Sequence, residues 1–251
     1  MGRCLLALAP PGGGTPSDLG YEVIVADNGS EDGTTAMVRS RFPWVRLIEL
    51  GRNLGFSKAT NRAAAVAGGE VFILLNPDTE MNYESVEALR RSVLGNRGGI
   101  VGARQVDQRD ALQLSVGGSP GFWHEAARHL LQRGFDRDVP LVRAGVDFWL
   151  RRFSFVPWVA ASCLGVSSKV FRKVGGFDEV YFLYFEDIDF CLRVGRAGYP
   201  IRFDADITVL HHRGQIAAKH PGVAKEAYRQ SRQRFWSTHG SRAMAWLMRF
   251  R

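Results

Sequence analysis

The chain has 251 residues, 45% hydrophobic and 23% charged, a globular composition with room for one large core. No apolar run is long enough to span a bilayer and no signal peptide opens the chain. Three scattered cysteines (Cys4, Cys163, Cys191) form neither a metal-type spacing nor a disulfide framework, which points to a reducing compartment. The net charge is +8, and +6 of it falls between residues 221 and 251.

Tyr21 to Asn28 is an apolar run that ends in turn residues and reads as a buried strand. A Gly/Asn/Asp turn leads into a helix over about Thr34 to Arg41. VRLIEL is the next strand, Gly51 to Gly55 a loop, and SKATNRAAAVA an Ala-rich helix. VFILLN (Val71 to Asn76) is a third apolar strand ended by Pro77. Asn82 is positioned to cap the helix NYESVEALRRSVL, and IVGARQV is a fourth strand. This alternation predicts an α/β fold with a mostly parallel sheet flanked by helices.

After Val106 the rhythm changes. The stretch from Gly117 to Phe155 is rich in Gly, Arg, Trp and Phe, with one short helix expected at WHEAARHLLQ. VPWVAASCLGVSSKVF reads as strand, turn and short helix, and IDFCLRVGRAG as a helix ended by Gly198. PIRFDADITVLHH reads as one or two strands and AKEAYRQSRQRFW as a basic helix. Two parts are expected: a domain over residues 1–220, with halves at about 1–106 and 107–220, and a basic aromatic tail over 221–251.

Ligands of open α/β sheets bind beyond the carboxyl ends of strands. Three polar clusters stand there: Asp27-Asn28-Gly29-Ser30, Asn53-Leu54-Gly55-Phe56 and Asn76-Pro77-Asp78-Thr79. Each alone has the composition of an ordinary turn. Asp78, just past a buried strand, is suited to a hard divalent cation such as Mg²⁺ or Mn²⁺ shared with substrate phosphates, or equally to capping the next helix. In YFLYFEDIDF, the carboxylates Glu186, Asp187 and Asp189 sit among aromatics. A helix N-terminus accounts for one or two acids. The aromatic surround would raise a carboxyl pKa and make a better base near neutral pH. His211 and His212 end an apolar strand.

In order and spacing, VIVADNGSEDGT, RNLGFSKATNRA, FILLNPDTEM, VGGFDEVYFLYFEDIDFCLRVGRAGY and TVLHHRG resemble family 2 inverting glycosyltransferases, and among them the rhamnosyltransferase-like branch. The resemblance covers about Tyr21 to Gly214. It implies a GT-A fold, a nucleotide-sugar donor and a divalent metal, Mg²⁺ or Mn²⁺. It puts Asp27 beside the nucleoside and Asn53 and Asn61 around the nucleotide sugar. Asn76-Pro77-Asp78 stands in the DxD position, with Asn for the first acid. Asp187 matches the catalytic base, His211 a histidine that completes the metal site, and Trp158 an acceptor-side stretch. Glu186 and Asp189 are expected to orient the base or bind acceptor hydroxyls. In an inverting transfer one carboxylate base and a metal-neutralised diphosphate suffice, without the paired acids of an inverting glycosidase.

Three departures accompany the match. The family opens with a strand before a helix like Arg3-Cys4-Leu5-Leu6-Ala7-Leu8, and that first strand is expected to be missing. Ala161 stands where the family has Gly, and Ser167-Ser168 replaces a basic pair. A truncated, catalytically degenerate member that only binds nucleotide or glycan is therefore the alternative to an active transferase. The acceptors that the resemblance implies are polyprenyl-linked saccharides at the inner face of the cell membrane. The basic tail, with Tyr228, Phe235, Trp236 and Trp246, suits peripheral contact with an anionic membrane surface, or packing on the domain through its aromatic face. No nucleic-acid motif accompanies the charge, so no nucleic acid is expected as partner.

Overall fold

The computed structural model describes residues 1–10, 12–118, 122–212 and 221–240. In chain order the elements are α1 (Gly2–Leu8), β1 (Val23–Asp27), α2 (Thr34–Arg41), β2 (Val45–Glu49), α3 (Phe56–Val66) and β3 (Val71–Leu75). Next come β4 (Thr79–Glu80), α4 (Tyr83–Gly95), β5 (Ile100–Val106), β6 (Val116–Gly117), α5 (Phe122–Asp136) and α6 (Pro140–Arg152). The last are β7 (Trp158–Val159), β8 (Cys163–Ser167), α7 (Ser168–Lys173), α8 (Glu186–Arg196), β9 (Ile201–His211) and α9 (Pro221–His239). The Asn82 side chain accepts from Ser85 N at 3.0 Å, as its place before α4 anticipates.

The chain is α/β with helices flanking the strands, but the sheet is mixed rather than mostly parallel. β1 and β2 form a parallel pair, and the five-stranded sheet has the order β3-β8-β5-β9-β4. β5 and β9 run parallel, whereas β8 is antiparallel to both of its neighbours and β4 to β9. β1, β2 and β3 are joined through α2 and α3, whereas β3 runs into β4 by a tight turn. β8 follows β7, which pairs with β6 in a separate two-stranded ladder, and inserts between β3 and β5 against the direction of both. All seven residues of the central strand β5 are buried.

One segment departs from the sequence expectation. The stretch after Gly117 is an αα-hairpin of 15 and 13 residues, α5 and α6, joined at 137–139. Residues 200–212 hold one long strand, β9, whose register against β5 jumps after Ala103↔Asp204 to Arg104↔Thr208. Arg104, inside β5, reaches α6 through an ion pair with Asp147 at 3.0 Å and so ties the hairpin to the sheet.

Ser167 and Ser168, where a basic pair was expected, are buried. The Ser167 hydroxyl accepts from Val170 N and starts α7. Of the tail, α9 lies on the domain: Phe235 and Trp236 are buried with Tyr181 and Phe185, and Lys225, Arg229 and Arg234 are exposed. The tail residues Arg242, Trp246, Arg249 and Arg251 fall outside the described residues, as do Arg213 and Gly214.

The loop before α3 meets the segment before α8 at Gly55, which has φ +87° and whose added Cβ would stand 2.6 Å from the Phe182 carbonyl oxygen. Gly55→Ala is expected to lower stability by about 1–3 kcal/mol in urea unfolding. Gly145→Ala, in α6 with nothing within 4 Å, is expected to raise it by about 0.5–1 kcal/mol.

Candidate active site

The site begins with two backbone conformations that side chains resist. Tyr184 and Phe185 have φ of +69° and +67°, in the left-handed region that costs a non-glycine residue about 1 kcal/mol or more. They persist because the segment is held on both sides. Phe182 O accepts from Phe56 N at 2.7 Å, and Leu183 O accepts from the Ser231 hydroxyl of α9 at 2.8 Å. The turn delivers the chain into α8, with Glu186 and Asp187 in the first helical turn, where the exposed N–H groups favour negative charge.

Beside this turn is a cavity of about 280 Å³. Glu186, Asp187 and Trp158 line it with His211 and Gln105. Tyr184, Phe185, Gln132 of α5 and Tyr228 of α9 complete the wall. Trp158 is set there by Gly117 on the paired strand, where a Cβ would stand 2.4 Å from the indole. Asp187 accepts from Ile188 N at 2.9 Å and from Ala161 N at 3.4 Å. Glu186 is buried and its Oε2 has no hydrogen-bond partner. Burial first, and then the charge of Asp187, push its carboxyl well above the ordinary glutamate range. The Gln105 side chain accepts from the Ser162 hydroxyl at 2.9 Å and leaves its buried NH₂ without a partner.

At the cavity's edge β4 pairs with β9, with Thr79 opposite His211. This brings the Asp78 carboxylate to 3.4 Å from His211 Nε2. Asp78 Oδ1 is buried and makes no hydrogen bond. An orphaned carboxylate oxygen beside an imidazole is a donor set that fits a divalent cation whose remaining ligands are substrate phosphates and water. Among the described residues no cluster of three or more His, Cys, Asp or Glu could hold an ion by itself. His212 is engaged elsewhere, with Glu80 at 2.5 Å.

The other expected residues separate into two groups. At the carboxyl end of β1, Asp27 Oδ2 accepts from Gly29 N and Ser30 N at 3.2 and 3.1 Å. Asn53 Oδ1 accepts from the Asn28 amide at 3.0 Å, while Asn28 Oδ1 accepts from Leu54 N at 2.7 Å, so Asn28 locks two of the three loops together. Asn76, after β3, holds the third turn through its carbonyl, which accepts from Thr79 N and the Thr79 hydroxyl.

Two of the expected residues are engaged within the protein. The Asn61 amide both donates to Phe177 O at 2.9 Å and accepts from Phe177 N at 3.0 Å, riveting α3 to the 175–179 turn. Asp189 does not face the cavity. Two residues beyond Asp187 on a helix of about 100° per residue, it points to the far side of α8. There it accepts from Arg193 Nε and pairs with His239 of α9, both at 2.7 Å.

The missed site residues are Gln105, Ser162, Gln132 and Tyr228. Gln105 announced itself as an uncharged polar residue inside an apolar strand. Gln132 and Tyr228 come from distant helices that only packing brings to the cavity.

Among known proteins, the model of glycosyl transferase family 2 matches residues 3–156. An N-acetylglucosaminyl-diphospho-decaprenol L-rhamnosyltransferase of Mycobacterium tuberculosis is 33% identical over 222 residues, 83% of this chain and 72% of that protein. Two solved structures share the fold. GalNAc-T7 with UDP, GalNAc and Mn²⁺ has a TM-score of 0.55 at 15% identity, over 78% of this chain and 38% of its own. The mannosyltransferase PcManGT from Pyrobaculum calidifontis with GDP-Man and Mn²⁺ has a TM-score of 0.52 at 17% identity, over 91% and 69%. With the α/β architecture these neighbours share, the GT-A arrangement is the fold of this chain, and the chain belongs to glycosyl transferase family 2.

Proposed function

We propose that this chain transfers a sugar, with inversion at the anomeric carbon, from a nucleotide-sugar donor to an acceptor hydroxyl held beside Asp187. The observation that carries the reading is one cavity containing Asp187 and Glu186, with the Asp78–His211 pair at its edge. The Asp187 carboxylate takes the proton of the acceptor hydroxyl while that oxygen bonds to the anomeric carbon. The bond from that carbon to the donor diphosphate breaks, and its electron pair leaves with the phosphate. Asp78 and His211 would hold a divalent cation, Mg²⁺ or Mn²⁺, which supplies neutralisation of the leaving diphosphate when bound. Asp27 and the linked Asn28–Asn53 loops would meet the nucleotide.

Burial and the neighbouring Asp187 charge favour the protonated form of Glu186, and in that form it would donate a hydrogen bond toward the bound acceptor and leave Asp187 as the base. The aromatic wall of Trp158, Tyr184 and Tyr228 suits the apolar faces of sugar rings.

The named specificity of the mycobacterial relative supports L-rhamnose as the sugar, from dTDP-rhamnose by family resemblance. It also supports a polyprenyl-diphosphate saccharide as acceptor. Such an acceptor is membrane-bound, which makes a peripheral location at the inner face of the cell membrane the matching one.

Asp187→Asn is expected to slow transfer by about 10²–10⁴-fold while nucleotide-sugar affinity stays unchanged; near-normal turnover in that variant removes the assignment of the base. For Asp78→Ala, titration calorimetry should show loss of the Mn²⁺-dependent part of nucleotide affinity; equal affinity with and without the substitution rejects the cation site.

Glu186 gives a pH prediction. Its folded pKa is raised, so its contribution to stability is present below the unfolded value of 4.5 and is lost as pH rises toward the folded value. The loss amounts to at most about 1.4 kcal/mol per pH unit. Glu186→Gln mimics the neutral form and escapes it. The melting temperature of the variant relative to wild type should therefore climb as pH rises above 4.5; a difference that stays flat contradicts the raised pKa of Glu186.

A further inference from the structure

Helix α6 is apolar on both sides. Val142, Val146 and Leu150 pack into the main core, as a surface helix should. Its solvent face should then be polar, and it is not. Leu141, Ala144, Gly145, Phe148, Trp149 and Arg152, spaced i, i+3, i+4, i+7, i+8 and i+11, are all exposed. Leu141 is 85% and Phe148 74% accessible. Phe153 and Phe155 extend the strip beyond the helix, and Leu130 on α5 is 66% accessible. Of the twelve exposed large hydrophobic residues among those described, seven lie between 130 and 155. That concentration marks a docking surface rather than the scatter found on any soluble protein.

The charges around it choose the occupant. The acids of the hairpin are largely consumed: Asp147 pairs with Arg104 and Arg151, and Asp138 with Arg109 and Arg143. Arg133, Arg137 and Arg152 remain exposed, and the Arg152 guanidinium lies 5.6 Å from the Phe153 ring centre. Aromatic and aliphatic side chains rimmed by guanidinium groups match the boundary between acyl chains and anionic headgroups. A second copy related by a twofold axis would turn the same arginines toward each other. At 13 residues α6 is about 20 Å long, too short to span a bilayer, and no helix among the described residues is long and apolar enough to cross one.

We propose that the exposed face of the α5–α6 hairpin docks on an anionic membrane surface, with α6 lying along the headgroup boundary. Gln132 of α5 lines the acceptor cavity, so the same hairpin that meets the lipid forms a wall of the site. A lipid-linked acceptor reaches Asp187 from the interface without leaving it. The inference rests on the proposed lipid-linked acceptor and goes beyond it by moving the membrane contact from the C-terminal tail to α6.

The test is flotation of the full chain with vesicles of phosphatidylglycerol and phosphatidylcholine, and of phosphatidylcholine alone. Wild type should float with the anionic vesicles. Leu141→Ser/Phe148→Ser/Trp149→Ser, all at exposed positions, should weaken that binding at least about tenfold. Arg137→Glu/Arg152→Glu should remove the preference for the anionic vesicles. Transfer to a short-chain water-soluble acceptor should be unchanged in both variants, and transfer to a polyprenyl-linked acceptor in vesicles should fall. Equal vesicle binding by wild type and the triple variant, or no binding by wild type, overturns the proposal. So does a wild-type dimer that becomes a monomer in the triple variant, or loss of binding on Arg242→Glu/Arg249→Glu/Arg251→Glu alone. Absence of transfer to the soluble acceptor in wild type would instead refute the proposed function, while flotation still reads the surface.

Discussion

Residues 181–185 are clamped from both sides, and the position of Asp187 depends on that clamp. On one side Phe182 is held by Phe56 N and seated against Gly55. On the other, Leu183 takes the Ser231 hydroxyl and Phe185 packs on Phe235 and Tyr228 of α9. Between these anchors two consecutive side-chain-bearing residues stay in the left-handed region, and α8 starts where a relaxed chain would not start it. Gly55 ends the loop that Asn28 and Asn53 build, so the edge of the site formed by β1 and β2 is mechanically continuous with the turn that carries the two acids.

The second anchor gives α9 its role. The Asp189–His239 contact, together with the Arg193 pairing, sits behind α8 on the face away from the cavity. A buried, hydrogen-bonded carboxylate is costly to leave without its partners. Here it holds together two helices that each contribute to the cavity wall, α8 through Asp187 and α9 through Tyr228. The described part of the basic tail is thus architecture for the site: its aromatic face is spent on packing, and Lys225, Arg229 and Arg234 stay exposed.

The elements up to Val106 were legible because each apolar run ends in a residue that ends a strand or starts a helix: Asn28, Pro77, Asn82. The hairpin α5–α6 was not, because α6 is apolar on both faces and a one-sided 3.6-residue stripe is what announces a helix. Pairing direction was also hidden. A buried strand has the same composition whichever way it runs, and the reversal of β8 shows only in its pairing with β3 and β5. At the site, residue types and spacing singled out Asp187, Glu186, Trp158, Asp78 and His211, and the fold brings the first three and His211 to one cavity with Asp78 at its rim.

Sequence by itself determined the α/β class, the three turn clusters after β1, β2 and β3, and the acidic start of α8, since each depends on local chemistry within a few residues. Only tertiary structure decided which of those polar groups remain available. Asn61 and Asp189 look as reactive on paper as Asn53 and Asp187, yet packing turns them toward Phe177 and His239, where their hydrogen-bonding capacity is already used. Asp78 Oδ1 and Glu186 Oε2 are buried without a partner. A buried polar atom is costly unless something satisfies it, and whether it is satisfied depends on neighbours more than a hundred residues away.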